Sequence, residues 1–401
     1  VTTVVKWSGR ETRALREARR MSVRAFAAHL GVAVSSVTNW EHSGEGIRLR
    51  DETQEILDRD LSRASDDVRE RFEAMLAGPV AGVIAAGASD GARRLEYAMA
   101  HPSRADLITV SYLREQLADL DAAYDREPSA ALLGPTAERH GQIAFLRLHA
   151  SNGRVQHELL GAFAESGILM GQLVWDASLR RDHASSLSYF AAAADAATEC
   201  GDRILNARAQ LRSSLVALYG QQDPVTGLEM AAQAAATSHT ASNALTGLAL
   251  LHVAEAHAMR QHARSCEDAL HAADTHIGKV NGSDGAALLL APFDVSRMAG
   301  SCYLHLNDAP KAALLLAETL QYAGQTKAAA VAAANLALSF TRQHKIDEAV
   351  GSLHRAIDIV DATRGGGGLT VAFTAGRALN PWRHDPAVQL AQDRLLALMA
   401  T

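Results

Sequence analysis

Only 5% of the 401 residues are aromatic, and stretches rich in Val, Ile and Thr are few. Sheet-rich folds draw on those residues, so an all-α chain is expected. The three cysteines, Cys200, Cys266 and Cys302, lie far apart and form no CxxC pair. That spacing gives neither a zinc pattern nor a disulfide framework, and reads as free thiols in a reducing cytoplasm. No run of about 18 apolar residues occurs, so no membrane span is expected. The N-terminal stretch carries arginine throughout and has no apolar core segment, which speaks against a secretory leader. HExxH and GxxxxGK[ST] are absent. The histidines do not converge: His252, His257 and His262 recur every five residues, which spreads them around a helix. The run Gly365–Gly368 lacks the Lys-Ser/Thr of a nucleotide cradle and reads as a flexible loop before a last helix, Pro386 to Met399. No enzyme, cofactor or metal is expected from these absences.

What is present is alanine in abundance, together with 34 arginines against five lysines. Alanine favours helix and lets helices approach closely. The arginine excess reads as codon bias of a GC-rich genome. Net charge is −6, but residues 1–50 carry +5 and the remainder −11. A basic head on an acidic body suits a head that meets phosphate.

Residues 8–64 read as a set of short helices. Ser8 caps a first helix whose exposed face is Arg13, Arg16, Arg19 and Arg20, and Ser22 caps a second, Val23 to Leu30. Gly31 breaks it. A third helix runs from Val34 to His42, the loop Ser43 to Gly46 ends it, and a fourth covers Asp51 to Ala64. Ala27 lets the second and third helices touch, over a small core of Phe26, Leu30, Val32 and Val37. The domain boundaries follow: 1–77 for the head, a glycine-rich connection at 78–91, and a helical body over 92–401.

Breaks in the body fall near Pro102, Pro128, Gly153, Gly201, Gln222-Asp223-Pro224, Gly282, Pro310 and Gly365–Gly368. Five helices share an i, i+3, i+6 pattern of mostly apolar or small residues. They are Leu187/Phe190/Ala193, Leu228/Ala231/Ala234, Glu267/Leu270/Ala273, Ala313/Leu316/Thr319 and Val350/Leu353/Ala356. The sets are 41, 39, 46 and 37 residues apart, which suggests degenerate repeats that bury their faces by stacking. The segments 309–322 and 346–359 resemble second helices of tetratricopeptide repeats. The implied fold is a C-terminal TPR-like α-solenoid.

The segment 22–44, SVRAFAAHLGVAVSSVTNWEHSG, resembles the lambda-repressor-like (XRE) helix-turn-helix family over about residues 8–64. The resemblance implies that the third helix enters the major groove of double-stranded DNA. Ala33, Val34, Ser35 and Asn39 then face base edges, with Ser36 and Thr38 near the backbone. Asn39 suits a bidentate pair with adenine and Val34 a thymine methyl. Arg24, Arg48 and Arg50 are candidates for phosphate contact, and are equally ordinary as solvated surface arginines. The family often has Gln where this chain has Val23, and polar residues at 33 and 34, so fewer direct hydrogen bonds to bases are expected. Arg16 and Glu41 match a family ion pair between first and third helices, and Trp40 is expected to pack inward.

The pairing of such a head with such a body resembles regulators that read a signalling peptide. In that group, inner-helix asparagines hold the peptide backbone, because an amide both donates and accepts. Asn206, Asn243 and Asn335 lie 22, 24 and 15 residues before the anchor positions 228, 267 and 350. Arg208, Arg212, Arg297 and Arg342 are candidates for a peptide carboxylate. These side chains are equally suited to solvating or capping helices. The expected protein is a cytoplasmic, nucleoid-associated homodimer that binds DNA and whose body takes a signal, a peptide or small molecule, or serves to dimerise it. The alternative is a DNA-tethered scaffold that docks a partner protein.

Overall fold

A computed structural model describes residues 7–43, 49–65, 68–69, 71–72 and 90–400. Every regular element among them is helical. No helix among the described residues is long and apolar enough to cross a membrane. The chain divides into two compact units, Val1–Arg93 and Arg94–Thr401.

The first unit contains α1 (Gly9–Ala18), α2 (Val23–Leu30), α3 (Val34–Ser43) and α4 (Asp51–Ser62). Ser8 starts α1 through a capping box, with its backbone N–H donating to Glu11 Oε2 at 2.8 Å. Ser22 caps α2, and Gly31 ends it at φ 72°, where a side chain would be strained. Phe26, Ala27 and Val37 are fully enclosed, while Leu30 and Val32 only flank the core. The core reaches further than its sequence pattern indicates. Trp7 stacks on Phe72 at 5.6 Å between ring centres, and Trp7 Nε1 donates to Asp58 Oδ1 at 2.7 Å. Leu15, Leu57 and Leu61 complete it. Arg16 and Arg19 do not share an exposed face with Arg13 and Arg20, because acidic side chains of α3 and α4 draw them inward.

Of the connection expected at 78–91, residues 78–89 lie outside the described residues, as do Gly44 to Gly46 of the loop after α3. Asp90 and Gly91 already belong to a helix, α5 (Asp90–Ala100).

The second unit continues as α6 (Leu107–Ala123), α7 (Ser129–His149), α8 (Gly153–Ala177), α9 (His183–Glu199), α10 (Arg203–Leu215), α11 (Pro224–Ser238) and α12 (Asn243–Met259). Then come α13 (Ala263–Ile277), α14 (Asp294–His305), α15 (Ala309–Tyr322), α16 (Lys327–Arg342), α17 (Ile346–Thr363), α18 (Gly366–Ala378) and α19 (Pro386–Ala400). Short polar side chains start many of them: Asp106, Asn152, Asp182, Asp202, Asp223, Ser242, Asp308 and Thr326 each accept from first-turn N–H groups. Consecutive helices pack as hairpins, and the even-numbered helices from α6 to α18 also meet one another in succession. The five i, i+3, i+6 sets fall on α9, α11, α13, α15 and α17, the alternate helices. Phe190, Ala231, Ala273, Leu316 and Leu353 are buried there, whereas Glu267 is exposed. His252 and His257 lie on α12, but His262 precedes α13, so the three do not share a helix.

The glycine run is the main departure from expectation. Gly366, Gly367 and Gly368 form the buried first turn of α18 and are not a loop. Gly366 N–H donates to Asp176 Oδ1 at 2.9 Å, and a Cβ on Gly366 would lie 2.8 Å from the Asp176 carbonyl oxygen. The start of α18 is thus pressed against the end of α8, which only glycine permits. Lys327, at the start of α16, adds to this closure. Its backbone N–H donates to the Asp125 carbonyl at 2.9 Å. Its ammonium donates to Ser129 Oγ at 2.7 Å and pairs with Asp176 at 3.1 Å. Early and late helices of the second unit therefore meet, and the array turns back on itself.

Candidate functional site

In the first unit, α3 has two faces set by residue type. Val37 is fully buried and Trp40 is half-buried against the core. Glu41 is held by Arg16 in a two-pronged pair, Nε–Oε1 2.6 Å and Nη2–Oε2 3.0 Å. Arg16 Nη1 also donates to the Met21 carbonyl at 3.0 Å, tying the turn before α2 to the same anchor. Both side chains of the pair are only about one-eighth exposed, at 13% and 12%. A second fork, Arg19 on Asp60 at 2.7 and 2.9 Å, ties α1 to α4, and His29 of α2 meets the same carboxylate at 2.6 Å. Charge-assisted forks of this kind fix orientation as well as distance.

The opposite face of α3 carries Ala33 at its start, then Val34, Ser35, Thr38 and Asn39, all exposed, with Ser36 half-buried. Thr38 Oγ1 donates back to the Val34 carbonyl at 3.0 Å, so that hydroxyl is already engaged. Ser35 and Asn39 have no hydrogen-bond partner for their side chains among the described residues. Val34 is 44% exposed, a large apolar side chain left in water. Arg24 on α2 and Arg50, immediately before α4, are exposed. Arg48 lies outside the described residues. The helix therefore presents the hydroxyls of Ser35 and Ser36, the amide of Asn39 and an apolar patch on a scaffold whose inner side is fixed.

In the second unit, several candidate ligand residues already have protein partners. Asn243 sits in the first turn of α12 and meets His276 Nδ1 at 2.9 Å. Asn206 donates to Thr198 Oγ1 at 2.7 Å, while its Oδ1 is enclosed without a partner. Arg342 caps the end of α14 through the Leu304 carbonyl and also reaches Asn307. Arg208 pairs with Asp121 at 2.6 Å, and Arg297 with Asp294 at 2.8 Å. Asn335 is buried on α16, and its side-chain amide has no hydrogen-bond partner among the described residues. Burial lowers the pKa of Arg212 below the ordinary arginine value, against the attraction of Tyr124, Asp121 and Asp125.

Residues that sequence reasoning passed over complete the interior. Tyr219 stands on a π-helical turn, Val216–Gly220, and its hydroxyl donates to Glu255 and lies 2.9 Å from His252 Nδ1. Glu255 also accepts from Ser301 Oγ at 2.5 Å. Burial opposes ionisation of Glu255, but His252, His305 and Ser301 outweigh it and hold the carboxyl at about 2. Burial likewise lowers Lys327, against the attraction of Asp176, and its ammonium lies 4.0 Å from the Tyr124 ring centre. One signal was legible: Lys327 is one of five lysines in a chain that otherwise uses arginine.

The stretch Gly87-Ala88-Ser89-Asp90-Gly91 has GxSxG spacing, a motif whose serine requires a strand-to-helix elbow. Gly87 to Ser89 lie outside the described residues, and Asp90 opens α5. Compared with known proteins, the chain matches no protein-family model, and no curated protein matches it.

Proposed function

We propose that the protein is a sequence-specific DNA-binding transcription regulator. Its first unit acts as a lambda-repressor-like helix-turn-helix domain, and its second as a tetratricopeptide-like array that receives a signal. The observation that carries this reading is the division of α3. Val37, Trp40 and Glu41 anchor one side, while Ser35 and Asn39 stand outward with free hydrogen-bonding groups. A reading helix needs both properties, since base edges are discriminated by groups that water alone satisfies before binding. The +5 charge of residues 1–50 supplies the electrostatic attraction. In this reading the protein binds as a homodimer, one head per half-site, with half-sites about 34–36 Å apart.

Selection of bound duplexes from a random pool, followed by salt titration, tests the proposal. Asn39→Ala relaxes base preference at one position by about 1–3 kcal/mol, and Arg24→Ala weakens all sequences alike and flattens the salt slope by about one unit. Unchanged site preference in Asn39→Ala would remove α3 as the reading helix. A second reading, in which the array docks a partner protein, is favoured by an apolar groove of about 330 Å³ between α9, α10 and α11, lined by Phe190, Ala194, Gln210 and Met230. Pull-down with Met230→Glu separates the two: loss of a captured protein with duplex binding intact favours docking.

A further inference from the structure

Two of the three cysteines, far apart in sequence, meet inside the second unit. Side-chain contacts set the register of the helices that carry them. Gln261, just before α13, donates through Nε2 to the His305 carbonyl at the end of α14, at 2.6 Å. Further along, Tyr303 Oη of α14 donates to Glu267 Oε1 of α13 at 3.5 Å. These pairs run in opposite chain directions, so α13 and α14 lie antiparallel there. Cys266 and Cys302 are the chain neighbours of Glu267 and Tyr303, and both are fully enclosed. They belong to one apolar cluster with Val253, Ala254 and Ala258 of α12.

Both thiols are free, and the Cys302 thiol donates to the Cys266 sulfur. That hydrogen bond holds Cys266 below the ordinary thiol value and pushes Cys302 up. Burial and the Glu255 carboxylate oppose ionisation of Cys266 but do not outweigh it. The two sulfurs are thus unequal: Cys266 carries the thiolate character that makes a nucleophile, and Cys302 keeps its proton. Cys200 is a natural contrast. It is half-buried, and its thiol donates to the Ala197 carbonyl in its own turn at 3.5 Å.

We propose that Cys266 and Cys302 are a redox pair that hydrogen peroxide converts into a disulfide within one chain, tying α13 to α14. The Cys266 thiolate attacks one peroxide oxygen and the O–O bond breaks. The departing hydroxide takes up the proton that Cys266 gave, which leaves a sulfenic acid. The Cys302 sulfur then attacks the Cys266 sulfur, the S–O bond breaks, and hydroxide leaves as water with the Cys302 proton. Two thiols and one peroxide give one disulfide and two waters. Enclosure selects the oxidant, because a small uncharged peroxide can enter where a bulky disulfide cannot. The proposal goes beyond the reading of the protein as a regulator and stands whether or not the first unit binds duplex.

Peptide mapping of the reduced, folded full chain after peroxide treatment and thiol blocking tests it. Mass spectrometry without reduction should find the Cys266 and Cys302 peptides joined and lighter by two hydrogens, with dithiothreitol restoring both thiols. Cys200→Ser should give the same joined peptide. Cys302→Ala removes the resolving sulfur, so Cys266 should accumulate as a sulfenic acid that dimedone traps. Oxidised glutathione should leave the pair reduced. If both thiols remain open to blocking while peroxide oxidises methionines of the same sample, the redox pair is overturned. A joined peptide that forms only in urea, or one that links Cys200 to either partner in the folded chain, also overturns it. Joining by oxidised glutathione as fast as by peroxide overturns the choice of oxidant.

Discussion

The two units place the same side-chain chemistry on opposite sides of their folds. In the first, the paired groups are inside and the free ones outside: Arg16, Arg19, Glu41 and Asp60 are locked in forks, while Ser35 and Asn39 face water. In the second, unpartnered polar atoms are enclosed, Gln172 Oε1, Trp175 Nε1 and Arg180 Nε among them, and the apolar cores lie between helix layers. The difference follows from architecture. A handful of short helices has no interior to spare, so anything that recognises a partner has to project. A longer array of stacked hairpins has layers between which such groups are enclosed.

The sharpest way to break the comparison is to attack the closure of the second unit. Lys327 and Asp176 have side chains 7% and 2% exposed. Lys327→Met leaves Asp176 buried without its cation and is expected to cost on the order of 3–5 kcal/mol. Calorimetry of the intact chain checks this, with loss from the transition of the second unit alone. Next comes the anchor behind α3. Glu41→Gln leaves Arg16 with Met21 and Glu17 as partners, so a smaller loss of about 2 kcal/mol is expected, confined to the first unit. Duplex binding should fall with it, because α3 loses its fixed orientation. If Glu41→Gln melts both units together, the two do not unfold independently and the contrast drawn above fails.

A gentler probe is pH. Burial lowers His140 and His305 below the ordinary value of 6.5. As pH falls through that value the unfolded chain takes up protons that the folded chain refuses, so stability is lost with acidification until the folded pKa is passed. The melting temperature of the second unit should therefore drop between neutral pH and about pH 5.5. His140→Gln, which keeps a polar partner for Ser166, should flatten part of that profile.

Local chemistry was legible where it acts within a few residues. Ser8, Ser22 and Gly31 announce where α1 and α2 begin and end, and the structure places them there. The i, i+3, i+6 sets mark α9, α11, α13, α15 and α17, because one buried stripe per hairpin is a short-range pattern. Arg16 and Glu41 were legible only through resemblance, since nothing in their spacing says that residues 25 apart meet. The same resemblance suggested ligand roles for Asn243 and Arg342, which the structure instead finds bound to His276 and to the end of α14. Trp7 and Phe72 were not legible, because a core that gathers both ends of a small unit leaves no periodic trace.

By itself the sequence determined that this chain is helical, where most helices start, and which alternate helices carry the buried small-residue stripe. Caps, alanine content and periodicity act over one or two turns and need no distant partner. Only the tertiary structure decided that Gly366–Gly368 is a buried helix start, that Lys327 closes the array onto Asp176, and that Gly367 leaves room for the Arg180 guanidinium. Those facts join residues up to about 200 apart, and a linear pattern carries no record of which distant groups the folded layers bring within hydrogen-bond reach.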